Sequence, residues 1–260
     1  MHLVATAAVA PLLAAPSVRA EQLTQLVLGE TGSLLAREGE WRQVRTHIDA
    51  YDAWVHAGYV RELDDTELTH WRTRATGWSA GAVLHVGGRP LRLPLRSRVA
   101  LDGERVGLPD GRVGLVGSGA VAEQHSAGAA ARTIAPERWA LDCFEGTPYQ
   151  WGGVTPWGVD CSGLVQTTFL ARGGTLPRDS GLQATVGEPV ELDALQAGDL
   201  LFFRSESGSH ISHVAFYGPD NTLVHSTIAC GGVLAESFGP GSRAAALRER
   251  LVAARRLEPR

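Results

Sequence analysis

Cysteine is scarce in this chain of 260 residues: Cys143, Cys161 and Cys230 stand at wide spacings, without the paired C-x-x-C ligands that would argue for zinc. An odd number leaves at least one thiol free. Cys143 and Cys230 could bridge, or could be two small buried hydrophobes. An excess of positive charge is also lacking, since 24 Lys and Arg against 28 Asp and Glu give a net charge of −4. That removes the basic field on which nucleic-acid binding depends. No stretch reaches the ~18 apolar residues that a membrane span needs. What is present, 44% hydrophobic and 20% charged residues, is ordinary for a globular chain and leaves no room for a disordered majority. The length points to more than one core.

The first twenty residues, MHLVATAAVAPLLAAPSVRA, resemble a signal peptide in their alanine-rich apolar run and their small-x-small end at Val18-Arg-Ala20. No Lys or Arg precedes the run, and Pro11 interrupts it. The same residues read equally well as a first strand and turn. The expected compartment is cytoplasmic, with a secreted or periplasmic location as the alternative if the segment is cleaved.

From residue 22 to 63, short β-type runs alternate with turn residues, as in the half-buried strands of a small barrel. The stretches LVLGE (26–30), EGEWRQVR (38–45) and AWVHAGYV (53–60) resemble, in order, the elements of a bacterial SH3-like (SH3b) domain. A second set of short runs, at 82–86, 93–97, 99–101 and 112–116, reads as a degenerate second copy. Residues 120–132 are small and polar and read as a linker. Pro136 at a first helical turn, followed by Trp139, Ala140, Cys143 and Phe144 on one side, predicts a helix that begins a new domain.

The stretch VDCSGLV (159–165) carries the chemistry. Asp160 can cap a helix by accepting amide hydrogens of the first turn, which places Cys161 at the positive end of the macrodipole. Such a position favours thiolate and brings a thiol pKa down from ~8.5 toward the ~3.5–7.5 range. Leu164, Val165, Thr168 and Phe169 fall on one stripe of an amphipathic helix that stops at Gly173-Gly174. Further on, residues 198–203, 212–217 and 222–227 read as strands, the last two joined as a hairpin. A five-residue connection over 217–221 sets His213 directly across from His225, on one face. One imidazole can then take the thiol proton while the other holds it in the correct tautomer. His210, three residues before His213, reads as a loop histidine.

PYQWGG (148–153), DCSGLV (160–165), LPRDS (176–180) with Gln183, AGDLLFF (197–203), SHVAFY (212–217) and LVHS (223–226) resemble, in order, the signature blocks of the NlpC/P60 family of cell-wall cysteine peptidases. The resemblance implies an α+β fold: a papain-like catalytic domain over residues 129–260, preceded by two small SH3-like β-barrels at 1–66 and 67–128, the latter including the linker. It implies Cys161 as nucleophile, His213 as base, His225 as the orienting third member and Tyr149 beside the scissile carbonyl. The implied substrates are peptidoglycan stem peptides, murein tripeptides or tetrapeptides, cut between γ-D-glutamate and an L-diamino acid. SH3-bearing members resemble enzymes that require a free N-terminal L-Ala, whose ammonium is held by the residues flanking the cysteine, here Asp160 and Ser162. Side chains of the first SH3-like domain join in that recognition, with Tyr51 and Trp54 as candidates. Arg178 suits the α-carboxylate of D-glutamate, or equally a structural salt bridge with a nearby Asp. The Cys161 amide and Tyr149 hydroxyl would steady the oxyanion, and no metal or cofactor is expected. Two alternatives remain from the sequence: an inactive domain that only binds wall peptide, and an amidase or acyltransferase using the same Cys-His chemistry.

Overall fold

The alanine-rich start of the chain forms strands, because its apolar residues alternate with turn residues at strand spacing. His2–Ala5 and Val9–Leu13 bury Leu3, Val4, Ala5, Ala10 and Leu12. The structure, a computed structural model, describes residues 1–257. It comprises one unit over Met1–Gly128 and a second beginning at Ala129. Among the described residues no helix is long and apolar enough to cross a membrane.

In the first unit those two strands join Gln22–Val27, Thr31–Glu38, Trp41–Thr46, Asp52–His56 and Val60–Leu63 in a seven-stranded antiparallel sheet. Gln22–Val27 and Val60–Leu63 lie at its two ends and do not pair with each other, so the sheet is not a closed barrel. Asp64 then caps helix Asp65–Arg74 in a capping box with Glu67. A second seven-stranded sheet runs from Gly77–Ser79 to Val121–Glu123. The strand expected at 93–97 is a loop: Arg96 there has φ +82° and ion-pairs with Glu30, both side chains being buried. The expected linker at 120–132 is also ordered, as strand Val121–Glu123 on Gly77–Ser79 and helix Gln124–Arg132. Leu28, in the turn just past strand Gln22–Val27, lies in the apolar cluster of the second sheet, with Leu84, Leu93 and Val99. The two sheets therefore share buried surface.

The second unit opens with helix Pro136–Phe144, which starts at a proline as its sequence predicts. Its sheet has six strands, in the order Glu188–Pro189, Leu251–Arg256, Leu200–Arg204, Ile211–Gly218, Thr222–Thr227 and Gly232–Ser237. Helix Cys161–Ala171 packs on the strands Ile211–Gly218 and Thr222–Thr227. All of its residues are buried, in place of the one-sided stripe expected. Its polar side chains are satisfied internally: Gln166 donates to the Leu176 carbonyl, Thr167 to Val154 and Thr168 to Leu164.

The hairpin differs from expectation in register. Its connection is the three-residue turn Pro219–Asn221, and Phe216 faces Val224, Tyr217 faces Leu223 and Gly218 faces Thr222. The register is thus displaced by two residues, which preserves the face because side chains alternate with period two. His213 and His225 sit diagonally rather than directly opposite, still on one face.

Candidate active site

Asp160 has extended backbone, φ −94° and ψ 179°, and its Oδ1 accepts from the Gly163 amide at 2.7 Å. This cap starts helix Cys161–Ala171 and places Cys161 as its first residue. The turn is packed tightly: a Cβ on Gly163 would lie 2.1 Å from the Gly153 carbonyl oxygen. Asp160 Oδ2 accepts from the Gly152 amide at 2.8 Å and from Arg178 Nη2 at 2.6 Å, while the Ser162 hydroxyl donates to Oδ1 at 3.3 Å. Each carboxylate oxygen thus accepts from two of these four donors.

Arg178 is turned inward and is 2% exposed. Its Nη1 donates to Ser162 Oγ at 2.7 Å and its Nη2 to Asp160, so the guanidinium is engaged with the two residues flanking the cysteine. The assignment of Arg178 to a substrate carboxylate gives way here to the internal salt bridge. A guanidinium so deeply buried requires a buried carboxylate partner.

Cys161 is 6% exposed. The amides of Val214 and Ser162 hydrogen-bond its sulfur, and Arg178 lies close enough to favour the thiolate. Burial and the adjacent Asp160 carboxylate outweigh them and push the thiol up to about 12. The depressed thiol expected from the helix end is therefore not what the surroundings produce, since the macrodipole acts within a site that also withdraws the sulfur from water. Val214 directly follows His213 on strand Ile211–Gly218, which makes the histidine a neighbour of the sulfur in space.

His213 Nε2 lies 2.8 Å from His225 Nδ1, and the rings meet at 63°. Burial, then His225, Arg250 and Arg243, hold His213 well below the usual histidine range. With Nε2 engaged by His225, Nδ1 is the nitrogen left for the thiol. His225 is 1% exposed, and its Nε2 lies 2.7 Å from Glu236 Oε1. Glu236 also ion-pairs with Arg243. Burial raises the Glu236 carboxyl, but its hydrogen bond to His225, the His225 charge and Arg243 together bring it below the ordinary carboxylate range.

Tyr149 pairs with Val159 as an isolated parallel bridge, and its amide donates to Gly231. Burial, then the charges of Cys161 and Asp160, raise its phenol, so it stays protonated as a donor near the sulfur. His210 is exposed in the loop before the strand, with Nδ1 3.4 Å from Ser205 Oγ. Cys143 and Cys230 are both free. In the first unit, Tyr51 packs against the apolar cluster of its sheet and Trp54 pairs across to Gln43 and Leu13. The structure thus gathers Cys161, His213, His225, Tyr149, Asp160, Ser162 and Arg178 around one helix start. Glu236 was missed by the sequence reading. Its signal is the third strand: His225 faces Leu234, so Glu236, two residues on, shares the His225 face.

Residues 146–248 match the NlpC/P60 family, and residues 12–58 match the bacterial dipeptidyl-peptidase SH3 domain. A γ-D-glutamyl-L-lysine dipeptidyl-peptidase of Bacillus subtilis is 48% identical over 84 residues, which are 32% of this chain and 28% of that protein. The probable endopeptidase NlpC of Escherichia coli is 41% identical over 92 residues, 35% of this chain and 60% of that protein. The matched stretch is thus less than two thirds of either relative. An NlpC/P60 family protein of Bacillus cereus superposes over the whole of both chains with a TM-score of 0.84 at 24% identity, a likeness of fold.

Proposed function

From a chain that carries an NlpC/P60 domain behind a bacterial SH3 domain, we propose a cysteine endopeptidase that hydrolyses peptidoglycan stem peptides. The observation that carries this reading is a thiol at a helix start beside His213, whose Nε2 is held by His225 at 2.8 Å. Residues 129–260 are the papain-like catalytic part, and 1–66 and 67–128 are two SH3-like parts, the second degenerate. The bond cut is the amide between γ-D-glutamate and an L-diamino acid, a choice supported by what the Bacillus subtilis relative is named for. The favoured substrate is a murein tripeptide or tetrapeptide with a free N-terminal L-Ala.

In this reading the resting pair is a neutral thiol and a neutral imidazole, because the surroundings raise Cys161 and lower His213. As the sulfur attacks the γ-D-glutamyl carbonyl, its proton passes to His213 Nδ1. The Cys161 amide and the Tyr149 hydroxyl receive the developing oxyanion. The imidazolium then protonates the leaving amine, and a thioester remains. Water, deprotonated by the same Nδ1, hydrolyses it and regenerates the thiol, so one hard step becomes two easier ones. Asp160 and Ser162 are the assigned partners of the substrate ammonium. The Ser162 hydroxyl is the group that can reorient toward it, and Arg178 holds both in place.

Cys161→Ala and Cys161→Ser, with unchanged circular dichroism, should lower cleavage of L-Ala-γ-D-Glu-diaminopimelate by at least about a thousandfold. Mass spectrometry should find L-Ala-D-Glu and the free diamino acid as products of the unaltered protein. Full activity in the variants refutes the cysteine mechanism, and any other product refutes the bond assignment.

A further inference from the structure

The two hairpin imidazoles do not end their hydrogen-bond chain at each other. We propose that Glu236 is a positioning residue that closes this chain and sets the tautomer of both His225 and His213, leaving the His213 Nδ1 lone pair facing the thiol. The proposal rests on the reading of Cys161 and His213 as nucleophile and base, and adds a residue to that site.

The argument is one of donors and acceptors. An ionised carboxylate only accepts. Glu236 Oε1 lies 2.7 Å from His225 Nε2 and also receives Arg243, so His225 must carry its hydrogen on Nε2. A neutral imidazole protonated there has a bare Nδ1. That Nδ1 lies 2.8 Å from His213 Nε2, so His213 must in turn donate from Nε2. Its Nδ1 is then the unprotonated nitrogen, as a general base requires. With both rings neutral, each step has one allowed direction once the carboxylate is in place.

Without Glu236 the direction is lost. His225 could carry its hydrogen on Nδ1 and donate to His213 Nε2, and His213 would then be protonated on Nδ1. That form offers the sulfur a donor and has no lone pair to take its proton. The chain moves no proton onto Glu236 in the reaction: the thiol hydrogen goes to His213 Nδ1 and from there to the leaving amine. The charged and titratable groups around the chain are Cys161 on the helix, Arg243 and Arg250 on the segment Arg243–Arg250, and Glu236 itself. Two of them are cations that oppose an imidazolium, so the one carboxylate also offsets the positive charge that forms on His213 during attack.

The backbone supports this assignment. Glu236 sits on Gly232–Ser237, paired along its whole length with Thr222–Thr227, and its carboxylate is mostly buried at 12% exposure. A merely structural ion pair with Arg243 would not need to place the oxygen on His225.

The test uses the full chain and nitrogen-15 NMR of the histidine rings at neutral pH. In the unaltered protein, both His213 and His225 should show the Nε2–H tautomer. Glu236→Ala should shift His225 toward Nδ1–H and lower kcat/KM by at least about tenfold with KM unchanged, because a base in the wrong tautomer has no lone pair to offer. Glu236→Gln retains a carbonyl oxygen in the same place and should restore the Nε2–H signature. Unchanged tautomers in Glu236→Ala overturn the proposal, even if Cys161→Ala still abolishes cleavage. Shifted tautomers in a protein that cleaves no wall peptide support the chain and refute the peptidase reading instead.

Discussion

A sulfur held 6% exposed between amides and a carboxylate is pulled in two directions. The sequence made one of these legible: Asp160 before Cys161 announces a cap, and a cap implies favourable amides. It could not reveal the other, because burial depends on strands some fifty residues away that pack on the helix. With the thiol pushed up to about 12, thiolate is the minor form at neutral pH. The thiol titrates only as pH approaches that value, so more nucleophile is present at each step upward. Alkylation of Cys161 by iodoacetamide in the free protein should therefore rise continuously from pH 6 through pH 9. A flat rate from pH 5 to 8 would mean a preformed thiolate–imidazolium pair, and would contradict the neutral resting state. Arg178 shows the same limit. Its type and spacing fit two partners, and only the burial of Asp160 beside it selects one.

Among the elements, the cysteine helix and the histidine strands could be read from the chain, since caps, glycine stops and β-rich runs are local signals. The helix Cys161–Ala171 begins and ends where they place it. What local pattern did not convey was the burial of its polar side, because Gln166 and Thr167 find partners on carbonyls outside the helix, Leu176 and Val154. Helix Asp65–Arg74 was legible in Asp64 and Glu67 as a capping box, yet lay between two β-rich stretches and was not recognised. The hairpin register slipped by two because Gly218 still pairs with Thr222, and parity alone kept the two imidazoles on one face. A test of the helix start follows from Gly163, where a Cβ would meet the Gly153 carbonyl oxygen at 2.1 Å. Backbone cannot move aside as a side chain can, so Gly163→Ala should cost about 1–3 kcal/mol and lower the melting temperature. It should also impair cleavage, since the same turn carries Cys161. Gly181, in helix Ser180–Gln183, has nothing within 4 Å of such a Cβ, and Gly181→Ala should stay within about 0.5 kcal/mol of the parent. Equal melting temperatures for the two variants would mean that the turn relaxes freely.

Across the molecule, composition and motif order conveyed a β-rich front and a mixed helix-and-sheet rear, but not how the front half is bound together. Leu28 directly follows a strand of the first sheet and packs into the core of the second. Trp71 donates its indole hydrogen to the Gly29 carbonyl at 2.9 Å, and the Arg98 amide donates to Leu28 at 2.8 Å. At this junction Glu30 and Arg96 pair with side-chain exposures of 2% and 3%. Glu30 also accepts from the Val27 amide at 2.9 Å, so its carboxylate serves both sheets. Two charges withdrawn from water depend on each other more than they add to stability. Removing one leaves the other buried and unpaired, at a cost of about 3–5 kcal/mol, whereas replacing both with apolar groups of similar volume is close to neutral. Glu30→Ala and Arg96→Ala should thus each speed amide exchange in residues 22–34 and 97–101 by a hundredfold or more, each ~1.4 kcal/mol being a factor of ten. The double variant Glu30→Met with Arg96→Leu should recover most of that protection. Exchange read by mass spectrometry on the whole chain separates this from a global effect, because residues 161–171 should keep their protection in all three. Single variants that exchange like the parent, or a double variant as exposed as the singles, would mean that the pair does not hold the two sheets together.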